Sequence, residues 1–384
     1  MSAQSRVGRR FSAALLSFFL IGIVNPAALL AADAPDIFTV ANVHVDESAA
    51  AAANARDIAL ARGERRAFDE LMRRLTVRVD RDRLPRPGAE TVAGLVQDIA
   101  IANEKNSRVR YIADITYRFK PQAIRNLMRS SGLRYAETRS KPVLVLPLYE
   151  TSGTIALWED PNPWRKVWSE APERTGLVPL KVPESNLSDI SEISAELAAA
   201  GDVQRLRPLA QRYGADAVIV ARAKVGTRPD GRSEVAVTAV TYGGAERDQT
   251  VVTTLAAGAN ENLDALLDRA RRDIVELIED NWKNANLIQF GQNSVMVAEM
   301  PLKSLRDWVE AQKRFREVAL IQRVDLVLMS REEARFNIFY LGDASQLKLA
   351  LAQKDLVLTE GEGNWTLGFA VRASQARAGS KGGP

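Results

Sequence analysis

The stretch that most constrains this chain is Lys141–Tyr149, KPVLVLPLY. Pro142 leads a run of apolar and β-branched residues with no charged residue inside it, the pattern of a strand buried in the interior of a sheet. Ala215–Val225 (ADAVIVARAKV) reads as a second buried strand, and the two are expected as members of one sheet. The Lys141–Tyr149 run carries no nucleophile, phosphate loop or metal ligand. It organises a fold and performs no chemistry of its own.

The rest of the chain divides around that sheet. At about 150 residues per domain, 384 residues suggest two to three domains. Residues 33–139 read as an α+β module. Asp36–Asp46 (DIFTVANVHVD) alternates as a strand, and Ala49–Leu75 is a long helix. Its stripe is Ile58, Ala61, Arg65, Phe68, Leu71, Met72 and Leu75, with Gly63 weakening the middle. Thr91–Asn103 (TVAGLVQDIAIAN) reads as a second amphipathic helix and Arg108–Phe119 as an alternating strand. Pro121 starts a helix that Gly132 stops.

Residues 140–285 read as an α/β middle module. After the first strand comes an insert, Trp158–Trp168 (WEDPNPWRKVW), with three of the six tryptophans. A strand at Leu177–Val182 follows, then helices over Ser188–Ala200 and Val203–Tyr213. Ala215–Val225, Glu234–Tyr242 and Asp248–Leu255 form a meander turned at Pro229-Asp230-Gly231. An amphipathic helix, Leu263–Asn281, closes the module. Residues 286–371 give strand–helix–strand–strand–helix–strand, the ferredoxin-like βαββαβ order. Residues 372–384 (RASQARAGSKGGP) predict a disordered basic tail. The fold class is therefore α+β to α/β, multidomain, with three modules behind an N-terminal targeting segment.

That segment is residues 1–32. Arg6, Arg9 and Arg10 precede the apolar run Phe11–Val24, and small residues follow Asn25-Pro26, as in a secretory signal peptide cleaved near Ala32. The run is short for a membrane span, and no other apolar stretch reaches that length. A periplasmic mature chain with no transmembrane segment is expected.

Residue counts exclude several chemistries. The chain has no cysteine, so disulfides, thiolate catalysis and Cys-ligated zinc are ruled out. His44 is its single histidine, so no paired-histidine metal site exists. The formal charge of +4 comes from the two ends, where Arg6, Arg9, Arg10 and Arg372, Arg377, Lys381 have no acids beside them; the body between is slightly acidic. A nucleic-acid partner calls for a basic patch on the folded body and is not expected. Isolated glycine pairs without a phosphate-loop frame imply no nucleotide, and neither cofactor nor metal is expected.

The stretch ANVHVDESAAAAANARDIALARGERRAFDELMRRL, with DITYRFKP and KPVLVLPLYE, resembles a proteobacterial family of exported proteins of unknown function. The resemblance implies an envelope protein and brings no activity. KPVLVLPLY together with YGADAVIVARAKV also resembles the amino-terminal domain of TolB and the middle domain of the flagellar protein FlgT, which implies an assembly or interaction module.

Two constellations stand out as candidate sites. His44 and Asp46 lie two apart on one strand, hence on one face, where the carboxylate would polarise the imidazole as a general base. No GxSxG nucleophile accompanies them, and an edge-strand histidine is the simpler reading. Trp158, Trp164 and Trp168, with Glu159 and Asp160 as hydrogen-bonding partners, are the candidate surface for a cell-wall glycan or peptide. The same tryptophans also fit a loop packed on the sheet, with Trp164 and Trp168 one helical turn apart. The sequence favours a non-enzymatic envelope interaction or assembly factor whose partners are envelope proteins, with glycan or peptide binding at the insert as the alternative.

Overall fold

The computed structural model describes residues 36–172, 175–244, 249–288, 293–361 and 364–370. The expected signal segment and basic tail lie outside the described residues. The architecture is a multidomain α+β fold built on three sheets.

The first sheet follows from period-two alternation. β1 (Thr39–Ser48) buries Val43 and Val45, and β3 (Arg110–Phe119) buries Tyr111, Ala113, Ile115, Tyr117 and Phe119. Between them in sequence come α1 (Ala52–Leu75), a short 3-10 helix (Arg78–Arg83), α2 (Ala89–Leu95) and β2 (Val96–Asn106). α3 (Pro121–Ser130) follows β3. The sheet order is β1-β3-β2, antiparallel throughout, and α1 packs on one face.

Two expectations change here. The helix expected over Thr91–Asn103 ends at Leu95, and the chain continues as edge strand β2. In a short apolar run both periodicities fit, and the ladder to β3 decides the outcome. The core-facing stripe of α1 also turns. Ala55, Ala59, Gly63 and Ala67 join Phe68, Leu71, Met72 and Leu75 inside, while Ile58 is exposed. A β-carbon at Gly63 would stand 2.5 Å from the Tyr117 hydroxyl. That hydroxyl donates to the Leu60 carbonyl at 2.9 Å, so the glycine admits the contact that locks helix to sheet.

The middle sheet contains β4 (Val143–Thr151), β5 (Thr154–Ala156), β6 (Leu180–Lys181), β7 (Ala217–Thr227), β8 (Ser233–Gly243) and β9 (Thr250–Ala256). β4 and β7 run parallel, and β7, β8 and β9 are antiparallel neighbours. The continuous apolar run of β4 is explained by two covered faces. Val143, Val145 and Tyr149 face α4 (Pro163–Ser169) and α8 (Leu263–Ala285). Leu144, Leu146 and Leu148 face the layer of α5 (Leu187–Glu192), α6 (Ala195–Ala199) and α7 (Val203–Arg212). The helix expected over Ser188–Ala200 is two short helices, because Ser194 caps a new start at the Leu197 amide. The expected Leu177–Val182 strand contracts to Leu180–Lys181.

The third sheet has the order β11-β12-β10-β14-β13, where β10 is Asn293–Pro301, β11 Ile321–Met329, β12 Glu333–Leu341, β13 Leu356–Glu360 and β14 Trp365–Phe369. α9 (Leu305–Arg316) and α10 (Ala344–Ala352) complete it. The βαββαβ element order runs from β10 to β13, but β14 inserts between β10 and β13, parallel to the first and antiparallel to the second. The expected ferredoxin-like sheet therefore gains a fifth, interposed strand. Trp308, Phe315 and Phe336 form an aromatic cluster beneath the sheet, with ring centroids 5.2–6.4 Å apart.

Polar contacts tie α8 to the end of α1. The buried Lys283 ammonium donates to the Arg73 and Thr76 carbonyls at 3.1 Å each, and its burial pulls its pKa down. Arg78 bonds Asp280 and Asp273, and Arg81 bonds Glu276. The buried Arg74 guanidinium donates to the Ile37 and Thr39 carbonyls.

Candidate functional site

The tryptophan insert is core. Trp164 and Trp168 sit on α4 in an edge-to-face pair, centroids 5.7 Å apart, packed against the middle sheet. Trp158 packs on the opposite face of that sheet. All three are buried. The Trp164 indole donates to the Ala221 carbonyl at 2.8 Å, and Trp158 donates to Ile193 at 2.8 Å. Glu159 turns back on its own loop, where its own backbone amide first, and then the Leu157 and Trp158 amides that donate to it, hold its carboxyl below the usual range. Asp160 is exposed and paired with Arg165 at 2.6 Å. The five residues expected to form a glycan or peptide surface therefore present no aromatic platform. Burial of the large indoles outweighs the polar neighbours that made the segment look like a groove.

His44 stands exposed on the open face of the first sheet, with 64% of its side chain accessible. Its partner is Asp114, directly across on β3, with Nδ1 2.8 Å from Oδ1. Asp114 also accepts from the Asn103 side chain at 2.8 Å, and the two hydrogen bonds lower its pKa, Asn103 first. Asp46, the expected partner, is instead gripped by Arg110 through two hydrogen bonds of 2.7 and 2.6 Å. Cross-strand neighbours outrank the residue two positions along. His44 stands on an exposed sheet face with no wall to exclude water, so the imidazole and Asp114 form a solvent-facing cross-strand pair. Among the described residues no group of His, Asp and Glu has the arrangement to hold a metal ion.

A cavity of about 70 Å³ lies between α8 and the start of β4 and β7. Val143, Ala217, Ile219, Ile278 and Trp282 form its apolar wall, with Lys141 at the rim. Ligand pockets for small molecules measure roughly 300–1,000 Å³, so this one suits a few waters or a single small group. The Lys141 ammonium is already engaged by Asp355 at 2.6 Å.

The feature that stands apart is the outer side of the third sheet. β10 and β12 alternate, with Met296, Ala298, Met300, Phe336, Ile338 and Tyr340 turned into the core. The opposite parity puts Val295 and Val297 outward, 58% and 62% exposed, in register with Phe339 and Asn337. Phe339 lies under the Arg323 guanidinium, 4.1 Å from its centroid. Edge strand β11 ends in exposed apolar residues, of which Leu328, opposite Arg335, shares this outer parity, whereas Leu326 and Met329, opposite Phe336 and Ala334, have the parity of the core side. The sequence held a signal for this: Val295-Met296-Val297-Ala298 is apolar in both parities, the mark of a strand with two apolar faces, although helices cover one alone.

No protein-family model matches the chain, and no curated protein matches it. Among solved structures it is similar to a PelC dodecamer from Paraburkholderia phytofirmans, at 11% identity and a TM-score of 0.23, over 37% of this chain and 90% of that one. It is also similar to the lipoprotein GNA1162 from Neisseria meningitidis, at 19% identity and a TM-score of 0.24, over 36% of this chain and 96% of that one. Likenesses this slight assign neither fold nor function.

Proposed function

We propose that this protein is a non-enzymatic interaction or assembly factor of the cell envelope, and that it docks other protein through the open side of its third sheet. The observation that carries the reading is the exposure of Val295 and Val297 on the open side of this sheet, with Leu328 at its β11 edge. Large apolar side chains left exposed on a sheet face that no helix covers are a mark of interaction sites. The signal-peptide pattern of residues 1–32 supports export. No helix among the described residues is long and apolar enough to cross a membrane.

The test is in-cell photo-crosslinking. A photoreactive residue at Val297 is expected to capture protein partners, while the same residue at Ala100, on the polar open face of the first sheet, captures few. Equal capture at both positions overturns the reading. So does a purified protein that turns over an envelope substrate and loses turnover in His44→Ala.

A further inference from the structure

We propose that the third sheet pairs edge to edge with a second copy of this chain through β11. This rests on the reading of that sheet as an interaction surface and deepens it by naming what pairs with its edge, while the open face stays uncovered. β11 ends the sheet order, so one side of its backbone has no strand neighbour among the described residues. Native edge strands are commonly protected by lysine, proline or bulges. β11 (IQRVDLVLM) has no lysine and no proline, and its two bulges, between Ile321 and Arg323 and between Leu326 and Leu328, leave Arg323–Leu326 regular.

The charges on that regular run choose the partner. A two-fold dimer pairs the strand with itself, antiparallel, so every cross-strand contact occurs twice. With the axis normal to the sheet, both helical layers stay on one side, and residues of matching parity oppose each other. Centring the pair on Arg323 sets two guanidinium groups face to face. Centring it on Asp325 sets two carboxylates together. Centring it on Leu326 runs the pairing into the bulge after Leu326 and sets neither charge against its opposite. Centring it on Val324 places Arg323 of each copy opposite Asp325 of the other, twice, within the regular run. Directly opposed unlike charges stabilise an antiparallel pair and like charges destabilise it, so the Val324 register is selected. Within one copy Arg323 and Asp325 are 3.0 Å apart, with 62% and 44% of their side chains accessible, and both are placed to exchange partners. The product is one continuous sheet made from two five-stranded ones, with both open faces on the same side.

The absence of cysteine makes the register testable with a single thiol. In Val324→Cys the two thiols meet at the axis. Antiparallel neighbours have Cα atoms roughly 4.5–5.5 Å apart, inside the roughly 4.4–6.8 Å that a disulfide spans. Mild oxidation of the purified protein at micromolar concentration is expected to link Val324→Cys into a covalent dimer and to leave Gln322→Cys and Val327→Cys largely unlinked. In sedimentation velocity, Arg323→Asp and Asp325→Arg are each expected to weaken self-association about tenfold or more. The double exchange R323D/D325R restores it, with far-UV circular dichroism confirming that every variant is folded. A native protein that stays monomeric across the concentration range, equal linking at all three cysteine positions, or a double exchange that fails to recover the dimer overturns the proposal. Capture of a different protein at Val297 by a chain that stays monomeric removes self-association and keeps the interaction reading. A dimer with the Val324 register and no other captured protein does the reverse.

Discussion

The first and third sheets solve the same problem in opposite ways. Each is covered by helices on one face and open on the other. On the first sheet the open face is polar and internally satisfied: His44 with Asp114 and Asn103, Asp46 with Arg110, and Asp98 with Arg118. On the third sheet the open side shows Val295 and Val297, with Leu328 at the β11 edge. Exposed ion pairs each contribute little, in the range of ~0–1 kcal/mol, so the first face gains little stability from them. What they provide is a surface with no unmet demand. The third sheet leaves apolar area in water at roughly 25 cal/mol per Å², and covering it is favourable for any protein of matching shape.

The comparison can be broken most sharply from the closed faces. Phe336→Ala beneath the third sheet should cost about 3–5 kcal/mol and Ile115→Ala beneath the first about 2–5 kcal/mol, read as a lower urea midpoint. A loss under 1 kcal/mol at either would show that its helical layer is loosely packed. Next in size is Tyr117→Phe. It removes the hydrogen bond to Leu60 beside Gly63 and should cost about 1 kcal/mol by the same measurement. Smaller again, Val297→Lys should leave stability within about 0.5 kcal/mol, yet lower the fluorescence of a bound hydrophobic dye and the yield of crosslinks. Ala100→Lys on the first sheet should change neither. An unchanged dye signal in Val297→Lys would erase the distinction between the two open faces.

The smallest effect is the pH response of the first face. Hydrogen bonds hold the Asp114 and Asp46 carboxyls below their ordinary values, from Asn103 and then His44 in one case and from Arg110 in the other. A lowered folded-state pKa means that the contribution is present above the unfolded value, near pH 4, and fades as pH falls through the lowered value. NMR titration of the two carboxyl carbons should give midpoints below that of a free aspartate. Asp114→Asn should leave the dye signal of the third sheet untouched. Midpoints at or above the free value would remove the ion-pair account of this face.

What could be read from sequence follows the physics of each region. β4 and β7 were legible because burial on two faces writes a continuous apolar run. β2 was not, because a half-exposed edge strand with Ile99 in solvent has little burial pattern, and its ladder to β3 involves backbone that any residue supplies. The inner stripe of α1 was misplaced because Ala55, Ala59 and Gly63 are small, and a reading weighted toward large side chains passes over close approach. Asp114 was out of reach as the partner of His44, since the two lie 70 residues apart and meet through strand register alone. The tryptophan insert shows the same limit in reverse. Its residue types suit a binding surface, and three-dimensional packing decides that the indoles face inward.

Lys283 has a consequence for the order in which the chain can finish folding. The last carbonyls of a helix need partners from outside it. At the end of α1 the ammonium comes from a residue 207 positions downstream of Thr76. A chain made from its N-terminus therefore completes α1 and its sheet long before the group that meets Arg73 and Thr76 exists. Until α8 arrives those two carbonyls have water as their partner, and a product truncated before residue 283 would lack the ammonium that replaces it.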